Sequence, residues 1–349
     1  MRFSVTINWC VLVTLVNADL YHGPETEDDH KTDKDDFVGR HHGESLPMFI
    51  NRVVNPDTPY LRQLGKTINS VAELMRSNLV QYKVASTVKG GSLGKGTAVK
   101  GMADADLLFP LVEIKSVKQL REELPVILKM LQGALDKSSL KITGIKRTPF
   151  TIQFKIMIDR TYEDVDLLPI MDLKSMMGLP TKTNLKQFYD AMKKHPNQRD
   201  YYGKCLAFLQ VNFVKQTSEK VKKVIRLLKY WIKTKKHVLK SYGAELVVIK
   251  TYEDIGSPSS VKEHDLIMKV FEKLSNLKTL RVSWNTYYEP KAYDLPSAPY
   301  ILDPAFPFHN LIRQKSSAID EKYVFLERDA KNILNVLKRQ AATTQHVEL

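Results

Sequence analysis

The sequence predicts an α+β protein in two lobes, a mixed β-sheet with helices followed by a mostly helical lobe. Three observations carry this reading. Between residues 84 and 171, β-prone apolar runs flank one long amphipathic stretch. Beyond about residue 183 the apolar spacing changes to the helical period and keeps it. The chain has 349 residues, 43% hydrophobic and 26% charged, which is long enough for a two-lobed enzyme and ordinary for a folded protein.

The elements follow in order. Residues 59–80 place Leu61, Leu64, Ile68, Val71, Leu74 and Met75 at helical spacing, which predicts a helix with one face in the core. Residues 84–88 are β-prone and end at paired glycines, and 105–112 form a short apolar run that predicts a buried strand. A helix is expected over 117–136, tolerating Pro125, and then two or three alternating strands over 141–171, separated by Thr-Pro and Asp-Arg turns. Residues 188–194, 205–216, 220–236, 243–255 and 261–277 all carry helical patterns. This divides the chain into a first lobe over 46–183, a helical second lobe over 184–340 and a tail over 341–349.

Charge is unevenly spread. The formal net charge is +14. Residues 1–18 contribute +1 through Arg2, and residues 19–45 contribute −6 from nine acids and three bases, which leaves +19 on the rest. A body this basic points to a polyanionic partner, with nucleic acid the leading candidate. The acidic, apolar-poor stretch 19–45 reads as a flexible linker.

Ahead of it, Arg2, a short apolar segment and the small residues Val16 and Ala18 fit a secretory signal peptide over 1–18, cleaved after Ala18. That segment is short for a membrane span, and the alternative is a peripheral extension. Cysteine is sparse: only Cys10 and Cys205 occur, which excludes a disulfide-stapled domain once Cys10 leaves with the signal.

The most informative stretch is VKGGSLGKGTAVKGMADADLLF, residues 88–109. It is not a P-loop, because Gly96 follows Lys95 where Ser or Thr is required, and Lys89 stands where the first glycine should be. Instead Gly91-Ser92 precedes Asp104-Ala105-Asp106 and an apolar run. On a strand, Asp104 and Asp106 share a face. Adjacent carboxylates repel and suit a site where divalent cations neutralise them. Two such ions can activate an attacking hydroxyl and stabilise a leaving phosphate. Glycines at 90 and 91 let the backbone approach phosphate oxygens, and the Ser92 hydroxyl can donate to one. A third carboxylate is expected from YEDVDLLP, at Asp164 or Asp166, between which periodicity does not choose.

With these residues assembled, the chain resembles the 2′-5′-oligoadenylate synthase family of the nucleotidyltransferase superfamily, over roughly 45 to 335. The resemblance is carried by NPDT (55–58), VKGGSLGKGTAVKGMADADLLF (88–109), DLLPIMDL (166–173), FVKQTSEKVKKVIRLLKYW (213–231), SYGAELVVIKTYEDIG (241–256) and YILDPAFPFHNL (300–311). It implies the two-lobed nucleotidyltransferase fold, with Asp104, Asp106 and Asp166 as the metal-binding triad; the D-x-L-P context selects Asp166. It further implies Gly91 and Ser92 at the donor phosphate, Arg226 and Lys229 on the triphosphate, and Ser241 and Tyr242 at the adenosine, with Tyr242 stacking on the base.

The implied cofactors are two Mg²⁺ ions, or Mn²⁺, with ATP as substrate. The implied activator is double-stranded RNA, contacted by Arg76, Lys89, Lys95, Lys215 and Lys220, and RNA binding is expected to reshape the 88–100 loop and bring the carboxylates together. The implied location is cytoplasmic unless residues 1–18 direct secretion. Two departures stand out. Val211 replaces an arginine of vertebrate relatives, which removes one phosphate contact. Ser241 replaces a glutamine and is too short for its bidentate contact with adenine. The rival readings are a cyclic-dinucleotide synthase of the cyclic GMP-AMP synthase kind and an inactive RNA-binding relative.

Overall fold

The computed structural model describes residues 36–347, except 159, 313, 316, 317 and 320. The expected signal segment, 1–18, and most of the expected linker lie outside the described residues.

Packed chain begins earlier than the residue-45 boundary. Phe37 is buried between Phe49 and Phe271, with ring centroids 5.8 and 5.9 Å away. Arg40, also buried, donates to the Asp36 carboxylate, to the Glu44 carbonyl and to Gln340 Oε1. One aromatic residue and one satisfied guanidinium thus dock the end of a stretch whose average composition reads as linker.

Helix α1 (Leu46–Phe49) leads into a π-helical turn (Ile50–Val54) and then α2 (Thr58–Asn78). The Asp57 carboxylate caps α2 by accepting from the Tyr60 N–H at 2.8 Å, and Pro59 occupies its first turn. Leu64, Ile68, Val71 and Met75 are buried at the expected spacing, while Leu61 and Leu74 are half-buried. Next come β1 (Val88–Lys89), α3 (Gly91–Lys95), β2 (Asp104–Leu111), α4 (Val117–Asp136), β3 (Ile142–Arg147), β4 (Ile152–Ile158) and β5 (Thr161–Met171). Ser116 caps α4, and Pro125 lies within the helix without ending it.

The strands form one five-stranded sheet in the order β1-β2-β5-β4-β3. Only β2 and β5 run parallel, because α4 and the β3–β4 hairpin carry the chain back between them. This parallel pair sits mid-sheet and carries the acids of the site.

Helices α5 (Leu173–Met177), α6 (Lys182–Lys194), α7 (Arg199–Cys205) and α8 (Ala207–Lys215) complete the first lobe. The second is built from α9 (Glu219–Thr234), α10 (Ser241–Asp254) and α11 (Glu263–Leu274), closed by the long α12 (Glu321–Val347). α12 runs into residues expected to be tail. α9 is buried on all sides from Val224 to Ile232, as befits a central helix. A small sheet of β6 (Arg281–Val282), β7 (Tyr300–Asp303) and β8 (Phe306–Asn310) adds strands to a lobe read as mostly helical.

The cores do not follow the expected 46–183/184–340 division. The first includes Leu185 to Leu209 with Tyr288 and Ala305; the second includes Phe37 to Val54 and Val99. Periodicity shows which face of an element is apolar but not which core that face joins. The β7–β8 hairpin crosses between the two, with Ile301 in the second core and Ala305 in the first. Cys205 is buried with a free thiol, and no described helix is long and apolar enough to cross a membrane.

Candidate active site

In the β2–β5 register, Asp104 pairs with Asp164 and Asp106 pairs with Asp166. The two candidates for the third acid part company here. Asp164 is exposed and makes an ion pair with Lys155 at 3.1 Å. Asp166 is half-buried and accepts from Gln153 Nε2 on β4 at 3.1 Å. Asp104, Asp106 and Asp166 therefore line up on neighbouring strands at the same end of the parallel pair.

The glycine loop lies directly over Asp104. Gly91 has φ +60°, and a Cβ there would stand 2.6 Å from the Asp104 carbonyl oxygen; at Gly94 a Cβ would stand 2.0 Å from the Lys89 carbonyl oxygen. Only glycine permits that approach. Ser92 is buried and fully engaged: it accepts from the Asp104 N–H at 2.9 Å, its hydroxyl donates to the Asp104 carbonyl at 3.1 Å, and its own N–H donates to Asp104 Oδ2 at 3.2 Å. The hydroxyl expected to meet a phosphate is turned onto the strand instead.

The electrostatics are those of crowded acids among lysines. Burial, with the charges of Asp104 and Asp166 beside it, pushes the Asp106 carboxyl up to about 7. Burial also raises Asp166, partly offset by the Gln153 amide. Asp104 moves the other way: burial is outweighed by Lys229, the Ser92 hydrogen bond, Lys233 and Lys95, so it stays below the usual range. This donor set of hard oxygens suits a divalent cation, which would offset the burial and the repulsion that together raise Asp106. Among the described residues no three Asp, Glu, His or Cys side chains converge closely enough to hold a metal together, so the expected triad is aligned but not gathered.

Beside the acids lies a buried knot of charge. Glu245 on α10 pairs with Lys95 at 2.9 Å and with Lys229 at 3.3 Å, and accepts from Thr97 Oγ1 at 2.6 Å. Lys229 also donates to the Thr97 carbonyl at 3.0 Å. Burial works against the Glu245 anion, but Lys95 and Lys229 outweigh it and hold its carboxyl below the usual range. Arg226 donates to Asn55 Oδ1 and the Gly96 carbonyl, both at 2.9 Å, and pairs with Glu219. Both expected triphosphate ligands thus face the 91–97 loop, yet each is engaged by the protein itself. Ser241 opens α10, half-buried. Tyr242 follows it, with its hydroxyl donating to Asp303 Oδ1 at 3.2 Å and the Lys95 ammonium 4.3 Å from its ring centroid.

The five expected RNA contacts separate. Arg76 is exposed and reaches Thr87 Oγ1 at 3.2 Å, Lys89 is half-buried on the edge strand β1, and Lys215 is exposed at the end of α8. Lys222 joins this group: its amine donates to the Lys215 carbonyl at 2.8 Å and lies 3.5 Å from the Cβ position of Gly96. Lys220 is tied to the Ser259 and Val261 carbonyls at 2.8 and 2.7 Å. Lys95 corrects the sequence reading, since its side chain is 12% exposed and points inward to Glu245. Burial works against the Lys95 charge, but the Glu245 anion outweighs it and raises the ammonium above the usual lysine range. Val211 is buried and packs towards Gly90 beneath the loop, a position where a surface phosphate contact is not made.

Glu245 and Asp303 were missed as site residues, although both lie in stretches that carried the resemblance. Their signal is a lone acid inside an apolar run, AELVVI and YILDPAF, where a buried carboxylate must find partners.

Comparisons with known proteins agree with this architecture. The family model described as "2'-5'-oligoadenylate synthetase 1, domain 2, C-terminus" matches residues 181–349. The chain is 26% identical over 299 residues to 2′-5′-oligoadenylate synthase 1A of Mus musculus, covering 76% of this chain and 82% of that protein. It is 26% identical over 298 residues to 2′-5′-oligoadenylate synthase 3 of Mus musculus, covering 77% of this chain but only 26% of that longer relative. It is also 25% identical over 295 residues to the inactive 2′-5′-oligoadenylate synthase 1B of Mus musculus. Among solved structures, E. coli MS115-1 CdnC with ATP superposes with a TM-score of 0.54 at 18% identity, covering 84% of this chain and 90% of that one, a likeness of fold alone. With a two-lobed α+β fold and these relatives, the chain is similar to 2′-5′-oligoadenylate synthases along most of its length, and its residues 181–349 match that family's C-terminal domain.

Proposed function

We propose that this chain is a 2′-5′-oligoadenylate synthase that polymerises ATP with release of pyrophosphate and is switched on by double-stranded RNA. The observation that carries the reading is the alignment of Asp104, Asp106 and Asp166 on two parallel strands beneath a glycine loop that only glycine can form. Asp104 and Asp106 would hold two divalent cations, with Asp166 sharing one. When bound, these ions lower the pKa of the acceptor hydroxyl and offset charge on the leaving group.

In the reaction, the 2′-oxygen of one nucleotide attacks the α-phosphorus of another. Its proton leaves to solvent, and the bond to the β-phosphate breaks. Ser92, Arg226 and Lys229 donate to the departing pyrophosphate, where charge develops. Tyr242 carries an adenine on its ring face.

Support for RNA control comes from the bonds that hold these groups. Ser92 is turned onto Asp104, Lys229 onto Glu245, and Arg226 onto Gly96 and Glu219. Freeing them requires the 88–100 loop to move, and that loop lies beside Arg76, Lys89, Lys215 and Lys222. RNA phosphates drawn to this basic rim, on a body of net +19, would bias the loop towards the catalytic arrangement.

The test is pyrophosphate release by purified protein with ATP, Mg²⁺ and long double-stranded RNA, compared with Asp106→Ala. The variant should lose all turnover and keep its RNA affinity. Equal turnover in both proteins would remove the carboxylates from the reaction. Ser241 makes product identity worth examining in the same assay, because digestion with a nuclease for 3′-5′ bonds separates linear 2′-5′ chains from cyclic dinucleotides.

A further inference from the structure

A second buried and well hydrogen-bonded acid lies outside the metal site. Asp303, at the end of β7, is wholly buried. It accepts from Gln210 Nε2 on α8 at 2.6 Å, from the Ala305 N–H at 2.9 Å and from the Tyr242 hydroxyl on α10 at 3.2 Å, while His309 Nδ1 stands 3.4 Å away. The Tyr288 hydroxyl donates to its carbonyl oxygen at 2.6 Å. Asp303 therefore joins four pieces of chain at the point where the β7–β8 hairpin passes from one core to the other.

We propose that Asp303 is the positioning residue for Tyr242 and thereby sets nucleobase preference, an inference that rests on the reading of Tyr242 as the base-stacking ring. A tyrosine ring has two free torsions. The first turn of α10 fixes one end of Tyr242, and the Asp303 carboxylate fixes the other. The carboxylate is itself held by Gln210 and the Ala305 N–H, so the anchor is rigid where a water molecule would not be. The ring's plane is then set by both lobes together, since Gln210 and Ala305 belong to the first and α10 to the second. This matters because Ser241 lacks the reach to read a base edge, which leaves ring placement as the discriminating contact in this part of the pocket.

The experiment compares ATP with GTP for the wild type, Asp303→Asn, Tyr242→Phe and the double variant, with Tyr288→Phe as a structural control. Preference is read as the ratio of kcat/KM values and, independently of turnover, as the ratio of Kd values from calorimetry with each nucleotide. The expected result is about a tenfold narrowing of the ATP preference in each single variant, the worth of one hydrogen bond, and no further narrowing in the double variant. Tyr288→Phe should lower Tm and leave the ratio unchanged.

An unchanged ratio in folded Asp303→Asn or in Tyr242→Phe overturns the proposal, as does additive behaviour in the double variant. If Asp303→Asn does not fold, Tyr242→Phe, which leaves the carboxylate in place, decides alone. A wild type that binds ATP over GTP without making product would contradict the proposed synthase activity and leave the calorimetric ratios to judge Asp303.

Discussion

Asp106 and Asp166 stand directly beside one another across the parallel β2–β5 pair, and Asp166 is held by the Gln153 amide. Burial, with the charges of Asp104 and Asp166 beside it, leaves the Asp106 carboxyl at about 7, well above an ordinary aspartate. The sign of the consequence follows from proton counting. The folded, cation-free protein retains a proton that the unfolded chain releases near 3.8, so this group's contribution to stability is full below about pH 4 and is lost as pH rises through about 7. Cation binding must displace the proton, so Mg²⁺ should raise Tm more at pH 8 than at pH 6. In EDTA at pH 8, Asp106→Asn should melt a few degrees above the wild type. A Mg²⁺ shift that does not change between pH 6 and 8 would contradict the arrangement.

Glu245 holds Lys229, which the proposed substrate needs, together with Lys95. Replacing it with Gln should raise ATP affinity without RNA, because Lys229 and Lys95 no longer have an internal anion. The same change leaves buried ammonium groups unpaired and should cost about 3–5 kcal/mol of stability. Calorimetry with ATP alone and a melting curve check both. Unchanged ATP affinity in the folded variant would mean that the Glu245 pairs do not compete with substrate.

The basic rim gives a graded expectation for RNA. Lys89→Ala and Lys215→Ala should each weaken binding and reduce the slope of log K against log salt by about 1. Lys220→Ala should change that slope less, because its amine is held by the Ser259 and Val261 carbonyls. Filter binding across a salt series measures all three, and a larger effect at Lys220 would reverse the assignment.

Gly94→Ala tests the loop itself. Its Cβ would overlap the Lys89 carbonyl oxygen, which is backbone and has nowhere to go. ATP binding should be lost with a drop of several degrees in Tm, whereas Gly65→Ala, in open space on α2, should be neutral or stabilising. A Gly94→Ala protein that binds ATP normally would show that the loop is not needed in this form.

Much of this was legible because it is local. The spacing of Leu64, Ile68, Val71 and Met75, the Asp57 cap and the D-x-D pattern each lie within a few residues and have one physical reading. Periodicity did not choose between Asp164 and Asp166, which only the D-x-L-P context of the resemblance separated; the partners that part them, Lys155 and Gln153, both come from β4. Lys95 was misplaced because Glu245 lies 150 residues away in sequence. The small sheet around β7 escaped notice because strands of two to five residues show no periodicity, and Phe37 because one buried ring does not change the composition of an acidic stretch.

The central claim is RNA-dependent synthesis at Asp104, Asp106 and Asp166. The most direct measurement incubates wild-type protein with ATP and Mg²⁺, with and without long double-stranded RNA, and weighs the products. The account predicts linear 2′-5′-linked adenylates and pyrophosphate only when RNA is present, and none from Asp106→Ala. Cyclic products, synthesis indifferent to RNA, or RNA binding with no turnover in Mg²⁺ or Mn²⁺ would contradict it.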